Sequence, residues 1–218
     1  MVSLETFTRD PFGFLLLSVG FIYSLVFHEV AHAGTAAIMG DSTARDLGRL
    51  SLNPLKHLDI VGTLLLFFVG FGWAKPVPIN VENFRARRFG FILVSAAGVL
   101  TNFLLACAAP MIAILLWTTR LLPLPEDPSI LDRFIAANVS LAAFNLIPIP
   151  PLDGFKILKG VLPIPSRFFM RFERFGFFIL IGLLSFRILD PVTVWLMKKI
   201  LAVIRMLLEP LIRLILAG

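Results

Sequence analysis

Cysteine is nearly missing from this sequence. Cys107 is the only one, and it lies inside an apolar run, which excludes an intrachain disulfide and a metal site built from several thiolates. Charge is scarce too: Asp, Glu, Lys and Arg make up 16% of the 218 residues against 58% hydrophobic ones, and mean hydropathy is +0.90. Residues 89–119 carry no charged side chain, and the ionisable groups of residues 11–40 are Tyr23, His28, Glu29 and His32. No internal repeat, low-complexity tract or long polar stretch offers a water-soluble second domain. These absences exclude an ordinary soluble globule and leave an integral membrane protein, expected as one membrane-embedded domain over residues 1–218. The net charge of +6 comes from Lys and Arg in short connecting segments, the pattern of positive-inside loops. It is no argument for nucleic acid, and none is expected as a partner. Ala31, His32 and Ala33 mimic a signal-peptidase site, but the apolar run is too long and continues past them, so no cleavage is expected.

What stands out against that background is His28, Glu29, Val30, Ala31 and His32, which spell His-Glu-x-x-His inside the first apolar run. A carboxylate at bilayer depth costs roughly 2.5–3.5 kcal/mol on insertion scales, so its presence there is a functional signal. On a helix, two histidines four apart project from one face with Cβ atoms about 5–6 Å apart. That spacing suits one zinc ion, which takes histidine nitrogen at roughly 2.0–2.1 Å. Glu29 is offset by about 100° and is placed to reach a water on the metal rather than the metal itself. A purely structural role would bury three ionisable groups for packing alone, which is costly.

The rest of the chain reads as an all-α polytopic membrane protein. Spans are expected at residues 12–39, 89–119 and 134–147, with a fourth candidate at 167–189. Residues 60–74 are apolar, but as a helix they would cover only about 22 Å of a core roughly 30 Å thick. With Gly62, Gly70 and Gly72 followed by Lys75, Pro76, Val77 and Pro78, they read as a re-entrant segment or one containing a short β strand. Pro110 is expected to kink its helix. In residues 191–218, Lys198, Lys199, Arg205, Glu209 and Arg213 fall on one face of about 120°, the mark of an amphipathic helix lying on the membrane. Lys and Arg between the spans number one, seven, two and five in order, provided that residues 60–74 turn back. The two basic sides are then cytoplasmic. His28 and His32 lie about 10–17 Å from the cytoplasmic end of their helix.

A catalytic zinc needs three protein ligands and an open position, and two histidines leave one missing. Asp41, Asp46, His57 and Asp59 lie in a polar loop where side chains are ordinarily solvated. Asp153 is better placed, because it follows an apolar helix whose end is broken by Pro148, Pro150 and Pro151. An Asp-Gly turn is the competing explanation for that residue.

The run Asn145, Leu146, Ile147, Pro148, Ile149, Pro150, Pro151, Leu152, Asp153, Gly154 resembles the N-x-x-P-x-P-x-L-D-G signature of the site-2 protease family, intramembrane zinc metalloproteases. The His-Glu-x-x-His stretch, the segment from Gly72 to Pro78 and Gly98-x-x-x-Asn102 are similar to that family in the right order, over roughly residues 15–160. The resemblance implies a three-helix catalytic core over about residues 11–160, followed by C-terminal helices over about 161–218. It implies one Zn2+ per chain on His28, His32 and Asp153, with Glu29 as general base. It also implies that Asn102 and Asn145 hold substrate or the developing oxyanion; an interhelical hydrogen bond is the other reading of both. The chain departs from the family in lacking the proline often found after Gly98. It enters directly on the motif helix, and no PDZ or cystathionine-β-synthase domain fits within it, so control by such domains is not expected. The function implied is zinc-dependent endoproteolysis of transmembrane segments of membrane proteins, by a multi-pass protein of the cell membrane with its site toward the cytoplasm. The alternative is an inactive membrane zinc-binding or transport protein. A transporter would be expected to show paired repeats, and an inactive relative to have lost Glu29.

Overall fold

The computed structural model describes residues 11–69, 72–120, 129–162 and 166–217, with side chains except at 66–69, 166–169, 171, 216 and 217. The helices are α1 (Pro11–Met39), α2 (Thr43–Asp46), α3 (Ile60–Val69), α4 (Arg87–Thr118), α5 (Ser129–Asn145), α6 (Asp153–Val161), α7 (Ser166–Ser185) and α8 (Asp190–Ala217), with 3₁₀ turns at Pro54–Lys56 and Val81–Asn83. Helices α1 and α4 have 29 and 32 residues and are long and apolar enough to cross a membrane. Pro110 sits inside α4 without ending it. The third expected span starts five residues earlier than its hydropathy suggested, yet at 17 residues it covers only about 25 Å. The fourth candidate is α7, which meets α8 at an angle of 89°. The corner between them closes as helix C-terminal turns do, with Ile188 N–H on Leu183 C=O, Arg187 N–H on Leu184 C=O, and Arg187 at φ 55°.

Residues 60–74 turn back, as the spacing of charges required. Helix α3 leaves at Ile60, and the chain returns so that Leu58 and Ala74 form an isolated antiparallel bridge, extended by Lys75 N–H on His57 C=O at 2.7 Å. Both ends of the excursion are therefore on one side. Among the described residues this single bridge is all the β structure there is.

The connecting segments are knotted together by a few polar groups. Gly40, at φ 112°, ends α1 in a left-handed turn that a Cβ would strain. Asp41 follows, fully buried. Its carboxylate accepts from Thr43 Oγ1 at 2.5 Å, Thr43 N–H at 3.2 Å, Asn80 N–H at 2.7 Å and Asn83 Nδ2 at 2.8 Å. Arg49 donates to the carbonyls of Lys75 and Pro76. His57, which a loop position would leave solvated, is fully buried instead, with Nε2 on Ser51 C=O at 2.7 Å. Its main-chain carbonyl accepts from Lys75 N–H, so the returning segment passes beside it.

Small residues set the helix spacing. Ala33 and Ala36 of α1, Ala106 of α4, and Ala142 and Ala143 of α5 are buried, and small contact residues let helix backbones approach closely. Helix α8 lays Ile200, Ile204, Leu208 and Ile212 against Ala106 of α4 and Val139 of α5. Its charged face, Lys198, Lys199, Arg205, Glu209 and Arg213, is exposed. The helix read from sequence as lying on the membrane is thus packed against the bundle.

Candidate metal centre

Helix α1 carries His28 and His32 on the face that meets α4, and both are buried. Asp153 opens α6, directly after the proline-broken end of α5, and is buried as well. Gly154 makes that entry possible, since a Cβ there would stand 2.2 Å from the Leu146 carbonyl oxygen. The fold brings Nε2 of His28, Nε2 of His32 and Oδ2 of Asp153 into a triangle with all three edges 3.1 Å. The two imidazoles stand edge to face, with centroids 4.7 Å apart. The only such cluster of metal-type ligands among the described residues is this one.

Hydrogen bonding on the far side of each ring decides what the triangle offers. Nδ1 of His32 lies 2.7 Å from the main-chain carbonyl of Val94. A carbonyl only accepts, so Nδ1 carries the proton and Nε2 presents a lone pair. Nδ1 of His28 donates in the same way to Oδ1 of Asn102 at 2.6 Å. With neutral imidazoles, two nitrogen lone pairs and a carboxylate oxygen face one another at 3.1 Å, an arrangement that a cation holds together. A tetrahedral zinc with bonds of about 2.0–2.1 Å keeps its ligand atoms about 3.3 Å apart, so the donor set and its spacing fit that ion. The second carboxylate oxygen, Oδ1, accepts from Lys156 Nζ at 2.8 Å, which leaves Oδ2 as the single oxygen directed at the histidines. The space in front of the nitrogens is open because α4 has a glycine there. A Cβ on Gly98 would stand 2.4 Å from His28 Nε2 and 2.5 Å from His32 Nε2.

Glu29 meets the returning segment, where its Oε2 accepts Val77 N–H at 3.2 Å. Asn102 is fully buried behind His28, with its Oδ1 engaged by that ring and its Nδ2 on Asn138 Oδ1 at 3.1 Å. In that position it orients a ligand imidazole. Asn145 turns its Nδ2 back to Leu141 C=O at 3.0 Å, and no hydrogen bond among the described residues joins it to the triangle. Sequence reasoning passed over Asn138 and Lys156. Asn138 had no motif around it, and Lys156 read as one more basic loop residue. Its spacing of three from Asp153, one turn of helix, was the available signal.

An all-α membrane protein that buries both histidines of His-Glu-x-x-His and an aspartate around one metal-sized gap belongs to the class of membrane metalloproteases. Comparison with known proteins agrees. Peptidase family M50 matches residues 128–185, the stretch that holds Asn138, Asn145, Asp153 and Lys156. "Putative zinc metalloprotease YwhC" of Bacillus subtilis is 38% identical over 186 residues, which are 83% of this chain and 85% of that protein. "Putative zinc metalloprotease Rip2" is 32% identical in Mycolicibacterium smegmatis, over 78% of this chain and 67% of that protein. The Rip2 of Mycobacterium tuberculosis is also 32% identical, over 67% of this chain and 57% of that protein. No solved structure matches. The chain belongs to peptidase family M50, the site-2 protease family.

Proposed function

We propose that this protein is a multi-pass, zinc-dependent intramembrane endopeptidase that cleaves transmembrane segments of membrane-protein substrates from the cytoplasmic side of the cell membrane. The observation that carries the reading is the triangle of His28, His32 and Asp153 with 3.1 Å edges, set between α1 and α4, whose outer surfaces expose large apolar side chains. One ion per chain would be held by these three atoms, and zinc, when bound, supplies Lewis acidity for the scissile carbonyl and brings the pKa of water near 7.

The chain's own residues divide the remaining work. Glu29 accepts the proton of the attacking water and returns it to the leaving amine. Its carboxylate is steadied on Val77 N–H, so the returning segment and the base share one edge. A peptide must be extended to offer a carbonyl there, and residues 72–78 are a strand-like edge for it to pair with. Lys156 holds Asp153 in its single-oxygen orientation. A membrane helix can approach this site laterally. Helix-breaking residues ease its unwinding, because they weaken the backbone hydrogen bonds that hold each carbonyl. The count of one, seven, two and five basic residues supports the cytoplasmic assignment.

The test is Glu29→Gln in purified enzyme reconstituted with single-span substrates, some carrying Gly or Asn in the cytoplasmic half of the span and some poly-Leu. The variant should keep its zinc and lose about 10²–10⁴-fold in turnover. The Gly and Asn substrates should be cut faster than poly-Leu, at bonds located by mass mapping. Wild-type turnover in Glu29→Gln would remove Glu29 as the base. Cleavage of unfolded soluble chains with every membrane helix left intact would overturn the intramembrane reading. Zinc binding with no cleavage by the wild type would favour the binding or transport alternative.

A further inference from the structure

We propose that Asn138 of α5 is a positioning residue for the metal centre, acting through Asn102 on the tautomer of His28. The proposal rests on the zinc reading of the triangle.

Amides and imidazoles can each be turned two ways, and something must choose. Here the choice starts at a main-chain carbonyl. Asn138 places its Nδ2 3.0 Å from the Phe134 carbonyl oxygen, which can only accept. That fixes Nδ2 on the Phe134 side and turns Oδ1 of Asn138 toward α4. The oxygen can only accept in turn, so the group of Asn102 facing it at 3.1 Å must be Nδ2. The Ser24 carbonyl, 3.4 Å from the same Nδ2, asks for the same orientation more weakly. Oδ1 of Asn102 is then left facing Nδ1 of His28 at 2.6 Å, and it too can only accept. The proton must sit on Nδ1, and Nε2 is left as the lone pair that a cation needs.

Asn138 and Asn102 are each fully buried, so water does not compete for these groups. His32 needs no such relay, because the Val94 carbonyl meets its ring directly. The two ligands of α1 are therefore set by main-chain carbonyls of different helices, one at contact and one through two amides. A hydrogen bond that merely joined α4 to α5 would not require this alternation of donors and acceptors to end at a metal ligand.

The experiment measures zinc affinity of the purified full chain by competition with a chromophoric chelator, alongside thermal unfolding of the metal-free protein. Asn138→Leu removes the acceptor, and zinc binding should weaken by about 10–100-fold with little change in metal-free unfolding. Asn138→Asp, with its carboxyl protonated in this buried place and its O–H on the Phe134 carbonyl, keeps an oxygen toward Asn102 and should recover most of the affinity. In an Asn102→Leu background, Asn138→Leu should cost nothing more, since its effect passes through Asn102. If Asn138→Leu does not fold, Asn138→Ala is read against the same aspartate rescue. Unchanged affinity on removing the amide would overturn the relay, as would losses that multiply in the double variant or an aspartate as weak as leucine. A wild-type chain that takes up no zinc would overturn the metal reading and the relay together.

Discussion

Gly98 does by absence what the ligands do by presence. Its missing side chain leaves open the space that a Cβ would take up 2.4 and 2.5 Å from the two Nε2 atoms. Moving α4 away to make room for a methyl group would also disturb the Val94 carbonyl and Asn102, which orient the same two rings. Gly98→Ala should therefore fold with α4 intact and lose zinc affinity by more than about 100-fold, beyond the range of changes to ligand-orienting groups. Metal analysis and a helical circular dichroism spectrum check both halves of that expectation. At this scale the two histidines were legible from their spacing on a helix, which also singled out Glu29 as the proposed base. Asp153 was singled out by the resemblance of residues 145–154 to the family signature, its own position leaving an Asp-Gly turn open. The use of Asn102 on His28 was open between two readings. Asn138 was not legible, because no one-dimensional pattern tells which turn of α5 meets which turn of α4.

Among the elements, the segment that turns back is held by Asp41 and Arg49 rather than by a sheet. Burial alone would push the Asp41 carboxyl up. The hydrogen bonds from Thr43, Asn80 and Asn83 outweigh it and hold the group below the usual carboxylate value. A carboxyl depressed in the folded state contributes stability that is fully present above its unfolded pKa of about 3.9 and is lost as pH falls through the folded value. Asp41→Ala should cost about 2 kcal/mol near neutral pH, where a buried charged acceptor for several donors is lost. That cost should stay level from about pH 8 to pH 5 and shrink below about pH 4. Unfolding followed in detergent across that range measures it. A cost that grew toward acid would contradict the sign of the argument. The turn-back itself was legible, because 15 apolar residues cannot span a bilayer core and the charge alternation failed without it. The polar knots were not, because Asp41 and Asn80 or Arg49 and Lys75 meet only once the excursion has closed.

For the molecule as a whole, polar groups of the site are buried while large apolar side chains stand outside. Its interior holds His28, His32, Asn102, Asn138 and Asp153, while Leu100, Leu104, Ile112 and Leu115 of α4 stand outward and exposed. That arrangement matches a surface facing lipid, where contiguous apolar patches have no cost in water. The hydrogen bonds from Asn80 and Asn83 to Asp41 put residues 41–59 and 75–88 on one face. Single cysteines at Arg45 and Glu82, both exposed positions, in a Cys107→Ser background should therefore label from the same side of intact cells or vesicles. If the basic residues mark the cytoplasm, that side is the inner one. Labelling from opposite faces would make residues 60–74 a true span and reverse the topology.

Composition and spacing determined the class of this protein. Apolar runs of bilayer length can satisfy their backbone only as helices in lipid, and ionisable groups in such a run are retained for chemistry. The pair of histidines four apart is a local feature, legible because chain geometry alone sets it, and Asp153 was marked by the resemblance of the proline-rich run before it to the family signature. Only the tertiary structure decided that Nε2 of His28 and His32 meet Oδ2 of Asp153 at 3.1 Å, that Gly98 keeps the gap open, and that His57 is buried rather than solvated. Those facts depend on how α1, α4, α5 and α6 rotate about their own axes when they pack. That rotation is settled by interdigitation of many small side chains at once, which no single stretch of sequence contains.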